Sequence, residues 1–376
     1  MLRDIFNELF VLELANNHWG SLDRGLRIIN DYAKIVRVNG VKAAIKLQFR
    51  DVNSFIHKKH RKHDEIRYIW KTTVTEMPWN QLRHLVDTIK KSGCLTMATP
   101  FDEKSVDKCI EFGVEIIKVA SSDLNDWPLL EKIAAAKKPT IVSTGGSSLK
   151  ELDDLVRFFS SRNIPMAINH CVSLYPSEDG ELELNQIDFL RNRYPDHVIG
   201  FSTHEYHDWT SSMLISYAKG ARTFERHIDV NADDKEIAKY CSLPHQIDTW
   251  FKAFFKAKEM CGGSGSHKRV CSKKELQYLE GLVRGVYAKR DLCKGQVFEH
   301  GTIDQDVYMA IPLLKGQLSC RELISGEKIL KPIKKDDPIF IDSVDSPYAT
   351  EPILRSYIYD RGITVDDLTN DREDEE

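Results

Sequence analysis

Eight short runs rich in apolar and β-branched residues recur within the first 230 or so residues of the chain. They are FVLEL (10–14), AAIKLQF (43–49), LTMAT (95–99), EIIKVA (115–120), PTIVST (139–144), PMAINH (165–170), VIGFST (198–203) and ARTFERHI (221–228). Between most of them, segments such as 21–36, 103–112 and 147–162 repeat apolar residues at the helical spacings of three and four. Strands that alternate with helices indicate βαβ units and a parallel sheet. Eight such units predict an α/β protein built on a (β/α)8 TIM barrel, with a doubly wound open sheet as the alternative.

The pattern changes after residue 262, where GGSGSHK (262–268) has the composition of a flexible linker. The predicted organisation is a barrel over 1–262, a linker with a short helix over 263–283, a small β-rich domain over 284–343 and an acidic tail over 344–376. We expect the acidic end of the tail to be solvated and disordered. Its apolar part, ILRSYIYDRGITV, is a candidate docking segment or partner site.

Composition excludes several classes of protein. The 53 Lys and Arg residues against 57 Asp and Glu residues give a net charge of −4, which does not favour nucleic-acid binding. The sequence has no run of 18 apolar residues, so no membrane span is predicted. Acidic residues interrupt the N-terminal apolar stretch, which is not typical of a signal peptide. The eight cysteines form no CxxC pair, which favours reduced thiols in a cytoplasmic protein over a zinc site.

Polar side chains gather where seven of the eight predicted strands end. They are Glu13, Asn16, Asn17, His18, Lys46, Gln48, Lys118, Ser121, Ser122, Asp123, Ser143, Thr144, His170, Ser173, Tyr175, Ser202, His204, Glu225 and His227. Functional groups of a barrel come from these C-terminal strand ends, so the sequence predicts a site there.

Lys46 and Lys118 are unusual because each interrupts an apolar strand. A buried unpaired ammonium is costly, so each lysine requires an anion, either a structural carboxylate or a ligand. Two lysines at the ends of alternate strands favour a phosphate or carboxylate ligand.

His204 and His227 close neighbouring strands, so their imidazoles can reach one divalent ion with open positions. Such an ion polarises a carbonyl as a Lewis acid. The alternative for each histidine is a hydrogen-bonded core residue. The basic loop HKKHRKH (57–63) follows strand two and is either a solvated loop or a patch that steers anionic substrates.

Seven blocks of the barrel region occur in a characteristic order and spacing. They are ELANNHWGSLDRG (13–25), AAIKLQF (43–49), TPFDEKSVD (99–107), IKVASSDLNDWPLLEKIAAAKKPTIVSTGG (117–146), NHCVSLYPS (169–177), IGFSTH (199–204) and GARTFERH (220–227). Together they resemble the sialic acid (N-acetylneuraminate) synthase family. Residues 284–343 resemble that family's C-terminal antifreeze-like domain, called SAF, so the likeness covers nearly all of residues 8–343.

The resemblance implies an enzyme that condenses phosphoenolpyruvate with the open-chain aldehyde of an N-acetylated sugar, usually N-acetylmannosamine. It also implies a Mn²⁺ or Mg²⁺ ion on His204 and His227, a catalytic carboxylate at Glu13, and a homodimer in which each SAF domain caps the partner's barrel. By the same resemblance, phosphoenolpyruvate contacts fall on Lys46, Lys118, Ser121, Ser173 and Ser202, and sugar contacts fall on Gln48, Asp123 and Tyr175.

Three positions depart from the family pattern. The family often has Asn at the position of Ser173. An Asp-His pair after strand eight is replaced by Ala238 and Lys239, which leaves Asp233 or Asp234 as a displaced sugar contact. An Arg before a Pro-Gly in the SAF domain is replaced by Ile311 before Pro312, with Lys315 as a possible substitute. Alternative functions are therefore a synthase for a 6-phosphorylated sugar, with loop 57–63 as its phosphate site, and a catalytically silent sugar-binding relative.

Overall fold

The eight predicted strands close into a parallel barrel in the computed structural model of the chain, which confirms the predicted (β/α)8 fold. The structure describes residues 5–61, 65–263, 265–319, 321–322 and 326–364. The chain divides into two compact units, 1–262 and 263–376.

The barrel strands follow one another in sequence order around the sheet, and β1 pairs with β8 to close it. The strands are β1 (Leu9–Ala15), β2 (Lys42–Phe49), β3 (Leu95–Pro100), β4 (Ile116–Val119), β5 (Thr140–Ser143), β6 (Met166–Cys171), β7 (Val198–Thr203) and β8 (Thr223–His227). The helices are α1 (Leu22–Asn39), α2 (Val52–Phe55), α3 (Arg67–Val74), α4 (Trp79–Ser92), α5 (Glu103–Glu111), α6 (Trp127–Ala135), α7 (Leu149–Ser160), α8 (Asn185–Arg193), α9 (Ser211–Ala218) and α10 (Pro244–Cys261).

Strand alternation divides the apolar residues between the inside and the outside of the sheet. The floor of the interior is a small cluster of Phe6, Leu9, Val11, Ala44, Met97, Ile116, Ile141 and Ala167. The alternate residues face the helices in a much larger core. There Phe10 meets the ring of Phe251 of α10 edge-on, with 4.7 Å between ring centroids. The floor closes one end of the interior, so polar side chains occupy the other.

Local sequence signals set the helix boundaries. The Ser21 side chain accepts a hydrogen bond from the backbone N–H of Arg24 at the start of α1, and Gly40 ends that helix with a left-handed φ of 62°. Ser148 and Glu151 form a reciprocal capping box at the start of α7. These caps leave short connections that carry the strand ends directly to the helices.

The second unit contains short elements around its own core. They are α11 (Lys273–Glu280), β9 (Gly285–Ala288), α12 (Ile303–Asp306), β10 (Val307–Ala310), β11 (Lys328–Ile329), β12 (Val344–Asp345), α13 (Pro347–Thr350) and α14 (Pro352–Tyr359). Antiparallel pairs join β9 to β10 and β11 to β12. The core includes Val286, Phe298, Ile339 and Ile341.

The segment from Val344 to residue 364 belongs to this core, which extends the second unit beyond the predicted domain end at 343 and agrees with docking of the apolar part of the tail. Val344 and Ile358 are fully buried there, and Tyr348 and Tyr359 pack against it. Arg355 also donates a hydrogen bond of 3.1 Å to Asp342. Burial of these apolar groups outweighs the polar composition of the segment. The acidic end, 365–376, lies outside the described residues.

Two expectations from composition can be compared with the structure. Seven cysteines lie in the described part of the chain, and all seven are free thiols, whereas Cys320 lies outside it. Among the described helices, none has both the length and the apolar character needed to cross a membrane.

We predict that Gly200→Ala destabilises the barrel. A Cβ atom at Gly200 would lie 2.6 Å from the carbonyl oxygen of Thr223 and would crowd the hydrogen bond between Thr223 and Asn169. Overpacking of this kind costs about 1–3 kcal/mol of unfolding free energy, which urea denaturation measures. Gly180→Ala is the control, because no atom lies within 4 Å of its Cβ position. Equal stability of the two variants would contradict this account of the interior.

Candidate active site

Four ionisable side chains form a buried cluster directly above the apolar floor of the barrel. Glu225 lies between two lysines, with 2.5 Å from its Oε1 to Lys46 Nζ and 2.7 Å from its Oε2 to Lys118 Nζ. Glu13 approaches the same Lys46 ammonium at 3.1 Å. Each of the four residues is at most 4% exposed. The sequence predicts either a structural carboxylate or a ligand as the partner of the two lysines, and the structure shows a carboxylate, that of Glu225.

The cluster keeps its central carboxylate ionised. Burial opposes the charge on Glu225, but the ammonium groups of Lys118 and Lys46 outweigh burial and hold the pKa of Glu225 below its usual range. Burial also acts on Lys46, where the two carboxylates outweigh it and raise the pKa. Lys118 has one carboxylate partner, so burial dominates there and lowers its pKa.

Glu13 differs from Glu225 because burial dominates its ionisation. Burial raises the pKa of Glu13, and Lys46 offsets this only in part. Gln48 Nε2 donates a hydrogen bond of 2.7 Å to Glu13 Oε1, while Oε2 has no well-aligned donor. Glu13 also pairs in register with His227 of β8. The structure thus places a carboxyl group with a raised pKa between the lysines and the histidines.

A serine-lined recess lies beside Lys118. A Cβ atom at Gly145 would lie 2.7 Å from Ser121 Oγ and would crowd the hydroxyl of Ser173 more severely, so the absence of a side chain leaves both hydroxyl groups their space. Cys171 Sγ lies 4.0 Å from Ser121 Oγ, and Ser202 pairs in register with Cys171. Hydroxyl groups and an ammonium around one recess are donors suited to an anion.

His204 and His227 face each other, with 5.4 Å between their ring centroids. His204 Nδ1 lies 3.1 Å from the carbonyl oxygen of Val172, which can only accept, so Nδ1 carries the proton and Nε2 is left with a free lone pair. Burial lowers the pKa of His204 to about 4 and holds the pKa of His227 well below its usual value. Nδ1 of His227 is buried without a hydrogen-bond partner. Two neutral imidazoles with free nitrogens fit a metal ion.

Aromatic side chains cover the histidine pair. The ring of Tyr175 lies 4.0 Å from that of His204, and the ring of Tyr240 lies 5.1 Å from that of His227. Tyr175 and Tyr240 also meet edge-on at 5.3 Å. Tyr175 remains 46% exposed, so it lies at the solvent edge of the site.

Asp123 lies in a short turn after β4. Its Oδ1 accepts a hydrogen bond of 2.8 Å from Ser122, while its Oδ2 is buried without a partner. Burial raises the pKa of Asp123 to about 6. An unpaired buried carboxyl oxygen is suited to accept a hydrogen bond from a hydroxyl group.

Most of the residues predicted from the sequence come from the C-terminal ends of the strands, which bound the space called here the barrel mouth. His170 is an exception, because its Nε2 lies 2.7 Å from the carbonyl oxygen of Leu182 and its ring stacks on Phe201 of the helix-facing core. Sequence reasoning did not assign a role to Glu225, Gly145, Tyr240 or Arg50. The signal for Glu225 was present, because it precedes His227 by two residues on one strand and two lysines needed a counter-charge. Arg50 follows Gln48 at the same spacing. Tyr240 has no local signal.

Two predicted alternatives can also be placed. Asp233, a candidate for the displaced sugar contact, lies 3.5 Å from Arg24 and is 62% exposed, so its carboxylate has a partner other than the histidine pair. Within the basic loop, residues 57–60 are exposed and residues 62–63 lie outside the described residues.

Those features define a (β/α)8 barrel protein with a serine-lined recess and a neutral histidine pair at its mouth. A model of the NeuB family matches residues 36–265, more than half of the chain. The chain belongs to the NeuB family, which confirms the resemblance to sialic acid synthases. The described residues contain no group of three or more His, Cys, Asp or Glu side chains arranged around a metal position.

Individual relatives agree with this assignment. A crystal structure of a Chromobacterium violaceum protein assigned to spore coat polysaccharide biosynthesis as protein E is 34% identical, with a TM-score of 0.85 over 90% of this chain and 100% of that one. The sialic acid synthetase of Leptospira borgpetersenii, solved with citrate, is 26% identical, with a TM-score of 0.64 over 73% of this chain and 91% of that one. The human N-acetylneuraminate-9-phosphate synthase is 26% identical over 89% of this chain and 92% of the human protein.

We predict that Glu225→Gln destabilises the barrel strongly. The substitution leaves two buried ammonium groups with Glu13 as their remaining carboxylate. Removal of one member of a buried ion cluster costs about 3–5 kcal/mol, which urea denaturation at pH 7 measures. Glu111→Gln is the control, because its partially exposed pairs with Lys108 and Arg83 contribute about 1 kcal/mol or less. A similar loss in both variants would refute the role of the cluster.

We also predict that acid destabilises the metal-free barrel through His204. Its folded pKa of about 4 lies below the unfolded value of 6.5, so the unfolded chain binds the proton first. The stability is complete above pH 6.5 and is lost as pH falls towards 4, by about 2 kcal/mol at pH 5 for one such histidine. His204→Asn should therefore lose less stability than the wild type between pH 7 and pH 5 in a chelator. Parallel losses in the two proteins would exclude His204 as the source.

Proposed function

We propose that this chain condenses phosphoenolpyruvate with the open-chain aldehyde of an N-acetylated amino sugar. The products would be a nine-carbon 3-deoxy-2-ulosonic acid and phosphate. The observation that carries the proposal is the arrangement of one mouth, where a lysine and serine recess adjoins two neutral histidines and Glu13 lies between them. Sialic acid and pseudaminic acid synthases among the relatives support this reaction class.

The lysine and serine recess would hold phosphoenolpyruvate. Its phosphate and carboxylate carry negative charge, which suits the ammonium groups of Lys46 and Lys118. Ser121, Ser173 and Ser202 would donate further hydrogen bonds from the wall around Gly145. The bound anion would share the lysines with Glu225 and so orient the enol carbon towards the histidine side of the mouth.

His204 and His227 would hold a divalent ion, Mn²⁺ or Mg²⁺, through the free nitrogens of their neutral rings. The ion supplies Lewis-acid polarisation of the acceptor aldehyde when it is bound. The two side chains provide only part of a coordination sphere, which leaves positions for oxygen atoms of water and substrate. Val172 fixes the ring of His204, since its carbonyl holds the Nδ1 proton.

The reaction forms one carbon–carbon bond and consumes one water molecule. C3 of phosphoenolpyruvate bonds to the aldehyde carbon, whose oxygen takes up a proton and becomes a hydroxyl group. Water adds at C2 with loss of a proton, and the C2–O bond then breaks as phosphate leaves. A group at the site must accept the proton of that water. Glu13 is suited to this role, because burial raises its pKa and its Oε2 lacks a well-aligned donor.

The acceptor sugar would contact Gln48, Asp123 and Tyr175. Gln48 and Asp123 offer an amide and an unpaired carboxyl oxygen to hydroxyl groups. The exposed face of Tyr175 would pack against the sugar ring next to His204. We further propose that residues 284–343 form an SAF domain that caps the barrel of a partner subunit in a domain-swapped homodimer.

The proposal predicts release of phosphate from phosphoenolpyruvate that depends on both an amino sugar and a metal ion. The purified protein is mixed with phosphoenolpyruvate, Mn²⁺ and N-acetylmannosamine, its 6-phosphate or a diacetamido-trideoxyhexose. EDTA should stop the release. His227→Ala should lower the rate by roughly 100-fold or more, the effect of losing one electrostatic stabiliser. Colorimetric phosphate detection measures both effects.

His84→Ala, in an exposed part of α4, is the matched control and should retain full activity. Phosphate release that persists in EDTA, or that needs no sugar, would overturn the proposed reaction. If calorimetry detects neither phosphoenolpyruvate nor Mn²⁺ binding, the chain is instead the catalytically silent relative.

A further inference from the structure

Arg50 extends the inward-facing row of β2 beyond the strand. It follows Lys46 and Gln48 at intervals of two residues, which places the three side chains on the same face. Its side chain lines a small cavity that also includes Gln48. The cavity is lined by Asn16, His18, Gln48, Arg50, Val52, Thr72, Thr75, Glu76, Met77 and Leu82.

The Arg50 guanidinium lacks an ionic partner. Its Nε is buried without a hydrogen-bond acceptor, and its Nη1 has one long contact of 3.4 Å with Asn16 Oδ1. Within the described ranges, no carboxylate oxygen lies within 4.0 Å of the group. Instead the guanidinium packs on the face of the Phe101 ring, 3.7 Å from its centroid. Burial lowers the pKa of Arg50 to about 10, so it remains a cation at neutral pH.

The carboxylates near Arg50 have other partners or lie too far away to pair with it. Asp102 accepts hydrogen bonds from Asp51 N at 2.8 Å and Ser105 Oγ at 2.9 Å. Glu13 is held by Gln48 and Lys46, as described above. Asp123 has one free oxygen, but it lies outside ion-pair distance. Glu76 lies at the exposed rim of the cavity.

Two further cations, both on α3, add to the positive electrostatic potential around Arg50. Arg67 and Lys71 have no ion-pair partner in the part of the chain that the structure describes. Lys71 lies over the ring of Trp19 at 5.6 Å. Burial lowers the pKa of Lys71, and the charges of Arg67 and Arg50 act in the same direction, whereas Cys241 and Asp229 oppose them. Like charges without carboxylate partners repel one another, so a bound anion would stabilise all three.

We propose that Arg50 binds an oxyanion carried by the acceptor sugar at the end remote from its aldehyde, assisted by the field of Arg67 and Lys71. The oxyanion is a phosphate or a carboxylate, both of which match the planar fork of a guanidinium. This inference rests on the proposed condensation, because it assigns the acceptor to the mouth above Gln48. It moves anion recognition away from loop 57–63, whose described residues 57–60 are exposed.

Calorimetry with three sugars tests the assignment. N-acetylmannosamine is the neutral probe, its 6-phosphate carries a phosphate, and N-acetylmannosaminuronic acid carries a carboxylate. Each is titrated into the full-length protein with Mn²⁺ present. We expect one or both charged sugars to bind roughly 10- to 100-fold more tightly than the neutral sugar, the usual strength of a charge-assisted hydrogen bond. The charged sugar that binds more tightly identifies the oxyanion.

Variants assign this preference to one side chain. Arg50→Gln should abolish the preference and leave the affinity for the neutral sugar and for phosphoenolpyruvate within about threefold, which a general loss of structure would not do. Arg50→Lys keeps the charge but loses the fork, so it should retain part of the preference. Lys59→Gln, in the exposed loop, is the matched control and should bind like the wild type.

Two results would overturn the inference: no preference of the wild type for either charged sugar, or an equal loss for neutral and charged sugars in Arg50→Gln. A preference lost in Lys59→Gln but kept in Arg50→Gln would assign the anion to the loop instead. Failure of the proposed condensation is a separate result, because it appears as absent phosphate release while the binding preference is still measured.

Discussion

The buried ion cluster of Lys46, Glu225 and Lys118 is the interaction on which the rest of the site depends. The three side chains come from β2, β8 and β4, so the cluster forms only when the barrel is closed in the observed register. Buried charges of this kind persist when they are paired and hydrogen-bonded. Because one carboxylate serves two ammonium groups, the fold keeps two cations at the base of the mouth that an anion can share.

Strand alternation orders the interior of the barrel by depth. Apolar side chains fill the floor, the ion cluster lies above them, and Gln48, the serine recess and the histidines lie above the cluster. Burial keeps the histidines neutral, whereas the same burial leaves Lys46 and Glu225 charged because they neutralise each other. One mouth therefore holds both fixed charges and free nitrogen lone pairs, the combination on which the proposed condensation depends.

The sequence predicts the barrel well because the strand periodicity and the helix periodicity are both local patterns. Every predicted strand overlaps an observed one, and VIGFST (198–203) matches β7 at both ends. Lys46 and Lys118 are recognisable because a charge in an apolar run is unusual. The role of Glu225 depends on which distant charges pair, and that of Tyr240 depends on how a loop folds back. Helix α14 lies in the apolar segment ILRSYIYDRGITV, for which the sequence predicts docking but not its target, because the burial of Ile358 depends on a core assembled elsewhere in the chain.

The paired and the unpaired cations lie at different depths of the mouth. Lys46 and Lys118 are matched by carboxylates, whereas Arg50 and Lys71 nearer the solvent have no carboxylate partner among the residues that the structure describes. An anionic ligand approaching from solvent therefore meets uncompensated positive charge first, which raises its local concentration before it reaches the interior. A ligand on the lysines lies beneath one on Gln48 and the histidines. Under the proposed condensation, the smaller anion would therefore bind before the acceptor sugar, which would lie above it.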